Sequence, residues 1–237
     1  MTYMPRRFVA GAILLASLLT LPSRVEAACD RNAVRIATKP VATTIPSVAQ
    51  DNVSALGTMP AAADIVAVGD SITRRWPAES LQAAFPGQRV FNYGMEGDRT
   101  QNILQRLSAP RLTSLHPRTV VLLVGTNNLS DGQPACAIAA GIQAVVARID
   151  ALWRKPTLRI VGVLPRGERF DAYETARRGV NAAIHDLMRK RGGGSVLNVD
   201  DPISCGHRTD CPNYDPDHVH LSAVGYDVLQ HALKSVR

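Results

Sequence analysis

Five short apolar runs, at 64–69, 89–93, 119–124, 158–164 and 195–199, alternate with stretches whose apolar residues recur at helical spacing. A short, continuous apolar run is the pattern of a strand buried on both faces. Between the runs, Ile103, Leu104 and Leu107 share one helical face within 100–107. Ile138, Ile142, Val145, Ile149 and Leu152 do so across 135–153, and Val180, Ile184 and Leu187 within 171–191. Ser222 can cap a last helix over 223–235. Strands alternating with helices dictate an α/β fold, a parallel sheet covered by helices on both sides. At 237 residues, 46% hydrophobic and 20% charged, the chain suits one globular domain. In such sheets, ligands bind outside the carboxyl ends of the strands. Residues just after each run are therefore the ones to inspect.

The first run ends in Gly69-Asp70-Ser71-Ile72. Ser71 falls at a strand-to-helix turn, where a hydroxyl can face a cleft beside outward-pointing N–H groups. The same serine would also serve as an ordinary helix N-cap. The second run leads into Asn92-Tyr93-Gly94 and then Gly97-Asp98. Gly94 could bring a backbone N–H close to a substrate oxygen, or simply make a turn. The third ends in Gly125-Thr126-Asn127-Asn128, where Asn127 can offer an amide donor or close an Asx-turn.

Near the C-terminus, Asp215-Pro-Asp217-His218-Val-His220 holds two Asp-x-x-His spacings. A carboxylate three residues before a histidine can orient a neutral imidazole as a general base for a serine. Asp217–His220 and Asp215–His218 both satisfy that spacing.

Gly-Asp-Ser, Asn-x-Gly, Gly-x-Asn and Asp-x-x-His, in this order, resemble the four blocks of the SGNH (GDSL-like) hydrolase superfamily. The stretch from Gly69 to Trp76, with Gly97-Asp98 and Val124-Gly-Thr-Asn-Asn128, is similar to its platelet-activating-factor acetylhydrolase-like branch. The resemblance covers roughly 64–236. It implies a three-layer α/β/α sandwich around a mostly five-stranded, flavodoxin-like parallel sheet. It further implies a serine esterase with Ser71 as nucleophile, His220 as base and Asp217 as orienter, because the residues after His220 continue as the family does. Its oxyanion hole would comprise the N–H groups of Ser71 and Gly94 and the Asn127 amide. The implied chemistry needs no metal or organic cofactor, and the substrate would be a small-molecule or glycan ester with a short acyl group, acetyl foremost. Transfer of the acyl group to a glycan hydroxyl, or a non-catalytic binding module of the same fold, are the alternatives. Asp217, His218, His220 and His207 could instead ligate a metal, but this leaves Ser71, Gly94 and Asn127 unexplained.

Two segments precede the expected hydrolase domain at 61–237. Arg6 and Arg7, the uncharged apolar stretch from Phe8 to Leu21 and the Val25-Glu26-Ala27 ending predict a signal peptide over 1–27. The stretch is shorter than the roughly twenty residues of a membrane span, so no stable membrane insertion is expected after cleavage. Residues 28–60, rich in Ala, Thr, Pro and Val without clear period, read as an extended lead-in. Export would place the protein in the periplasm or outside the cell. There Cys29, Cys136, Cys205 and Cys211 are expected to form two disulfides. Four cysteines allow three pairings; Cys205 with Cys211, across a short turn-rich loop, is favoured, which leaves Cys29 with Cys136. Cleavage removes Arg6, Arg7, Arg24 and Glu26 and brings the formal charge from +7 to +5. No Lys/Arg cluster with interleaved aromatics points to nucleic acid. Trp76 reads as acyl-pocket wall or core, Trp153 as core, and Arg166 and Arg169 as loop residues that could touch substrate.

Overall fold

In the computed structural model, five parallel strands form one sheet in the order β2-β1-β3-β4-β5. Apart from Met1, the structure describes residues 29–236. The expected signal peptide and its cleavage point lie outside the described residues. In chain order the elements are α1 (Arg31–Thr38), α2 (Pro46–Gly57), β1 (Ile65–Gly69), α3 (Ser71–Arg74), α4 (Ala78–Ala83) and β2 (Val90–Gly94). They continue with α5 (Thr100–Arg106), β3 (Thr119–Leu123), α6 (Thr126–Ser130), α7 (Ala135–Trp153) and β4 (Thr157–Val161). The last are α8 (Glu174–Arg191), β5 (Gly194–Leu197), α9 (Asp200–Ile203) and α10 (Ala223–Ser235), the last capped by the Ser222 hydroxyl.

The period-two geometry of the strands sorts the core into two layers. Val66, Val68, Val120 and Leu122 point to one face, where Ile138, Ile142, Val145 and Ile149 of α7 and Val180 and Ile184 of α8 cover them. Ile65, Ala67, Val121 and Leu123 point to the other, against Ile72, Leu81, Tyr226, Leu229 and Leu233. Both faces of β1 and β3 are thus sealed, which is why these strands read as unbroken apolar runs. Helix α7 has the length and hydropathy of a membrane span, but its apolar residues belong to this core. Trp153 is core, with its indole N–H donated to the Leu112 carbonyl. Trp76 is core as well, 5.7 Å from the Tyr226 ring.

Residues 29–60 are not extended throughout, because α1 and α2 occupy most of them. Asp30 caps α1 by accepting from the N–H groups of Asn32 and Ala33, and Pro46 occupies the first turn of α2. The two helices fully bury one residue each, Ala37 and Val48, and Ala55 and Leu56 of α2 also pack against the core. Cys29 is bonded to Cys136 in the first turn of α7, and Cys205 to Cys211, the pairing expected from the spacing.

The order 2-1-3-4-5 reverses direction between β1 and β3. The carboxyl ends of these two strands flank the crevice where sheets of this order take their ligands. Ser71 and Asn127 follow them directly.

Candidate active site

The end of β1 is held in place from three sides. Gly69 pairs with Gly94 and Leu123 of the neighbouring strands. A Cβ on Gly69 would lie 2.0 Å from Thr73 Oγ1 and 2.4 Å from the Leu123 carbonyl, so only glycine lets α3 turn back this closely. Asp70 caps α3 by accepting from the Ile72 N–H, and Ser71 opens the helix with 4% of its surface exposed. Among the described residues, the Ser71 N–H has no acceptor.

The C-terminal loop brings a histidine to this serine. His220 Nε2 lies 2.8 Å from Ser71 Oγ, and His220 Nδ1 lies 2.5 Å from Asp217 Oδ2. Asp217 Oδ1 accepts from the N–H groups of Val219 and His220, which fixes the loop around the carboxylate. Partial burial raises the Asp217 carboxyl, but the hydrogen bonds from the His220 ring and these two N–H groups prevail and hold it at about 2. An ionised carboxylate only accepts, so Nδ1 carries the proton and Nε2 is left to accept from the Ser71 hydroxyl. The other candidate pair is not assembled: His218 donates its N–H to the Asp215 carbonyl and accepts at its own carbonyl from Gly167, with no hydrogen bond or ion pair between the two side chains among the described residues. Both ring nitrogens of His220 are engaged, and the described residues hold no group of three potential metal ligands.

Asn127 Nδ2 donates to the Asp98 carbonyl at 2.9 Å, which leaves its second N–H free. Gly94 departs from its expected role. Its N–H donates to Asn92 Oδ1 at 2.9 Å, and a Cβ there would come within 2.3 Å of Arg74 N. Gly94 is glycine because β2 packs against α3, and its N–H is already engaged. Three residues on, Gly97 turns at φ +68, where a Cβ would be strained; its N–H has no acceptor among the described residues. Asp98, whose carbonyl anchors Asn127, follows it directly, so this N–H borders the same crevice. Spacing alone gave no signal for Gly97, because it cannot show which amide a neighbouring side chain captures.

Two buried charged groups lie beneath the site. Arg106 is 6% exposed; its Nε meets Asp98 Oδ2 at 2.6 Å, and its Nη groups donate to the carbonyls of Tyr93 and Gly69. Burial raises the Asp98 carboxyl, and Arg106 opposes the shift. Asp70 is fully buried, and its Oδ2 has no partner among the described residues. Burial pushes it up to about 7; the Ile72 N–H pulls the other way, and the charges of Asp98 and Glu96 add to the rise. A carboxyl raised by folding contributes stability that is lost as the pH climbs toward its folded value. We therefore expect Asp70→Asn to gain in melting temperature relative to the unmodified chain between pH 5 and pH 8. Parallel thermal melts check this, and a constant difference across that window would contradict it. Arg166 donates to the Thr126 carbonyl and hydroxyl and to Ser130, bracing α6, while Arg169 is exposed and pairs with Asp171.

The model of the GDSL-like Lipase/Acylhydrolase family matches residues 67–228, most of the described chain. The chain belongs to this family. It is similar to the platelet-activating factor acetylhydrolase IB subunit alpha1 of Bos taurus, 31% identical over 176 residues that cover 73% of this chain and 74% of that one. The human protein of that name matches to the same extent. Among solved structures, its fold is similar to that of a GDSL-like lipase from Bacteroides thetaiotaomicron (TM-score 0.61, 21% identity, 80% of this chain and 95% of the other). An acetyl xylan esterase from Geobacillus stearothermophilus shares the fold at a TM-score of 0.59 and 17% identity, over 72% of this chain and 92% of the other. Membership makes the protein an acylhydrolase acting on esters. Its two disulfides fit an oxidising compartment.

Proposed function

We propose that this protein hydrolyses short-chain carboxylic esters, acetyl esters foremost, through an acyl-enzyme on Ser71. The observation that carries the reading is the unbroken chain of hydrogen bonds from Asp217 through His220 to Ser71 Oγ. His220 Nε2 takes the hydroxyl proton as Ser71 Oγ bonds to the ester carbonyl carbon. The carbonyl oxygen becomes an oxyanion facing the N–H groups of Ser71 and Gly97 and the free N–H of Asn127. Each such donor typically contributes about 3 kcal/mol to lowering the barrier. Collapse of this intermediate expels the alcohol, which takes the proton from His220. Water, deprotonated by the same nitrogen, then releases the acid and restores Ser71. Asp217 stays ionised throughout the neutral range, so its part is to hold the ring and balance the imidazolium charge.

Acetyl specificity is supported by the similarity to relatives named as acetylhydrolases and to a fold neighbour named as an acetyl xylan esterase. The disulfides support an exported protein, periplasmic or extracellular, with 1–27 as its removable leader.

The test is hydrolysis of 4-nitrophenyl acetate by the unmodified chain and by two aspartate variants. Asp217→Asn should lower kcat by about 10⁴-fold, the scale of the same change in a serine protease triad, because the amide stabilises the wrong ring tautomer. Asp215→Asn should change kcat by less than threefold, since that side chain touches neither His220 nor Ser71. Equal losses, or the reverse ranking, would remove Asp217 from the assigned role. Absence of turnover in the unmodified chain would remove the esterase reading.

A further inference from the structure

The segment before the family match builds a wall onto the crevice. Residues 39–45 run beside α5, held by the Val41 N–H donated to the Gln101 carbonyl and by Asn102 Nδ2 donated to the Val41 carbonyl. Helix α1 is fixed as well, at its C-terminal end by the Thr100 hydroxyl donated to the Ala37 carbonyl and just before its start by the Cys29–Cys136 bond. Between this segment and the start of α5 lies an open groove of about 430 Å³, lined by Arg35, Ile36, Lys39, Val41, Ile45 and Arg99 among others.

The groove adjoins the reacting centre. Ile45 Cδ1 would lie 3.9 Å from a Cβ placed on Gly97, and Arg99 donates to the Gly97 carbonyl. The residue proposed as an oxyanion donor therefore adjoins two residues that line the groove, Ile45 and Arg99. The groove is also one-sided in charge. Among the described residues, no acidic side chain lines it. Arg99 is neutralised by Asp131. Arg35 has only the neutral Asn32 as a side-chain partner, and neither Arg35 nor Lys39 meets a carboxylate among the described residues. Ile36, Val41 and Ile45 are 41%, 43% and 46% exposed, so the cations stand beside an uncovered apolar floor. Two unpaired cations over such a floor are complementary to an amphiphilic anion.

We infer that this groove binds an anionic group carried by the alcohol part of the ester, with Arg35 and Lys39 as its counter-ions and Val41 and Ile45 against the intervening carbon skeleton. The inference rests on the esterase reading above, in which the short acyl group lies against the oxyanion donors and the larger alcohol part is left to extend into the groove. Carboxylate and phosphate both meet this chemistry.

The experiment compares 4-acetoxybenzoate and 4-acetoxyphenyl phosphate with neutral phenyl acetate, on the unmodified chain and on Arg35→Ala/Lys39→Ala. Dividing each anionic ester's kcat/KM by that of phenyl acetate gives a selectivity ratio, and comparing this ratio between the two proteins cancels differences in leaving group. The ratio should fall about tenfold in the double variant, mainly through KM, and fall further in Arg35→Glu/Lys39→Glu. It should also fall with added salt, because the groove is open to solvent. A larger fall for one anionic ester than for the other identifies carboxylate or phosphate as the group bound. Ratios unchanged by both double variants would overturn the inference. Calorimetric binding of the product alcohols, 4-hydroxybenzoate and 4-hydroxyphenyl phosphate, reads the groove without turnover. If the esters are not hydrolysed but these alcohols bind and lose affinity in the variants, the esterase reading fails and the groove stands. If the esters are hydrolysed but the alcohols bind equally to all three proteins, the groove fails alone.

Discussion

Ser71→Ala is expected to lower kcat for 4-nitrophenyl acetate by about 10⁴- to 10⁶-fold, the range seen when a triad nucleophile is removed. The effect is this large because no other group replaces the lost step: the acyl-enzyme needs a covalent acceptor, and His220 Nε2 has no second hydroxyl at 2.8 Å. Activity above the uncatalysed rate should persist, since the N–H groups of residues 71 and 97 and the Asn127 amide do not depend on the hydroxyl. His220→Ala should cost nearly as much, and the double variant little more than either alone, because nucleophile and base act as one unit. Folding should barely change. Oγ makes one hydrogen bond in a partly buried setting, and its loss is worth about 1 kcal/mol. Steady-state kinetics beside a thermal melt checks both statements. A fall of less than tenfold in a folded variant would take the nucleophile role from Ser71.

That Ser71 could be singled out from the sequence, while Gly97 could not, follows from what each role requires. The five strands are buried on both faces, so their apolar runs are continuous and their ends can be read. Whatever follows β1 and β3 must then border the crevice, which places Ser71 and Asn127. The oxyanion glycine depends on which amide is free. Asn92, two residues before Gly94, captures that N–H, and nothing in the spacing announces it. Spacing alone left Asp215–His218 and Asp217–His220 equivalent; the family-like continuation after His220 favours the second pair, and it is that ring the loop's hydrogen bonds bring to the serine. Helix α1 attaches by its Asp30 cap, the neighbouring disulfide and a single buried residue, and α2 by a few small or partly buried apolar residues, so neither shows a strong period in the sequence. The four helices α3, α4, α6 and α9 are four to six residues long, too short for any period to show. Arg106 is the extreme case, a charged side chain on a short amphipathic helix whose burial, to 6% exposed, nothing in the spacing announces.

Arg106→Met is expected to destabilise the fold by about 3–5 kcal/mol at neutral pH, the scale for removing one member of a buried ion pair. Three acceptors lose their donor at once: the Asp98 carboxylate and the carbonyls of Gly69 and Tyr93. Those carbonyls lie at the ends of β1 and β2, so the change reaches the turn that carries Ser71 and the loop that carries Gly97. Arg106→Lys should recover little, because one ammonium cannot replace a planar fork directed at three separate acceptors. Most of the cost should come from the stranded charge rather than from lost attraction. Adding Asp98→Asn to Arg106→Met should therefore restore part of the stability, although it removes the second partner as well. Urea unfolding of the two single variants and the double variant measures the coupling. A double variant less stable than Arg106→Met alone would show that the Asp98 carboxylate is not the group that suffers. Catalysis separates from stability in the same set: a double variant that folds but loses turnover would show that the arginine fork positions the strand ends as well as neutralising Asp98.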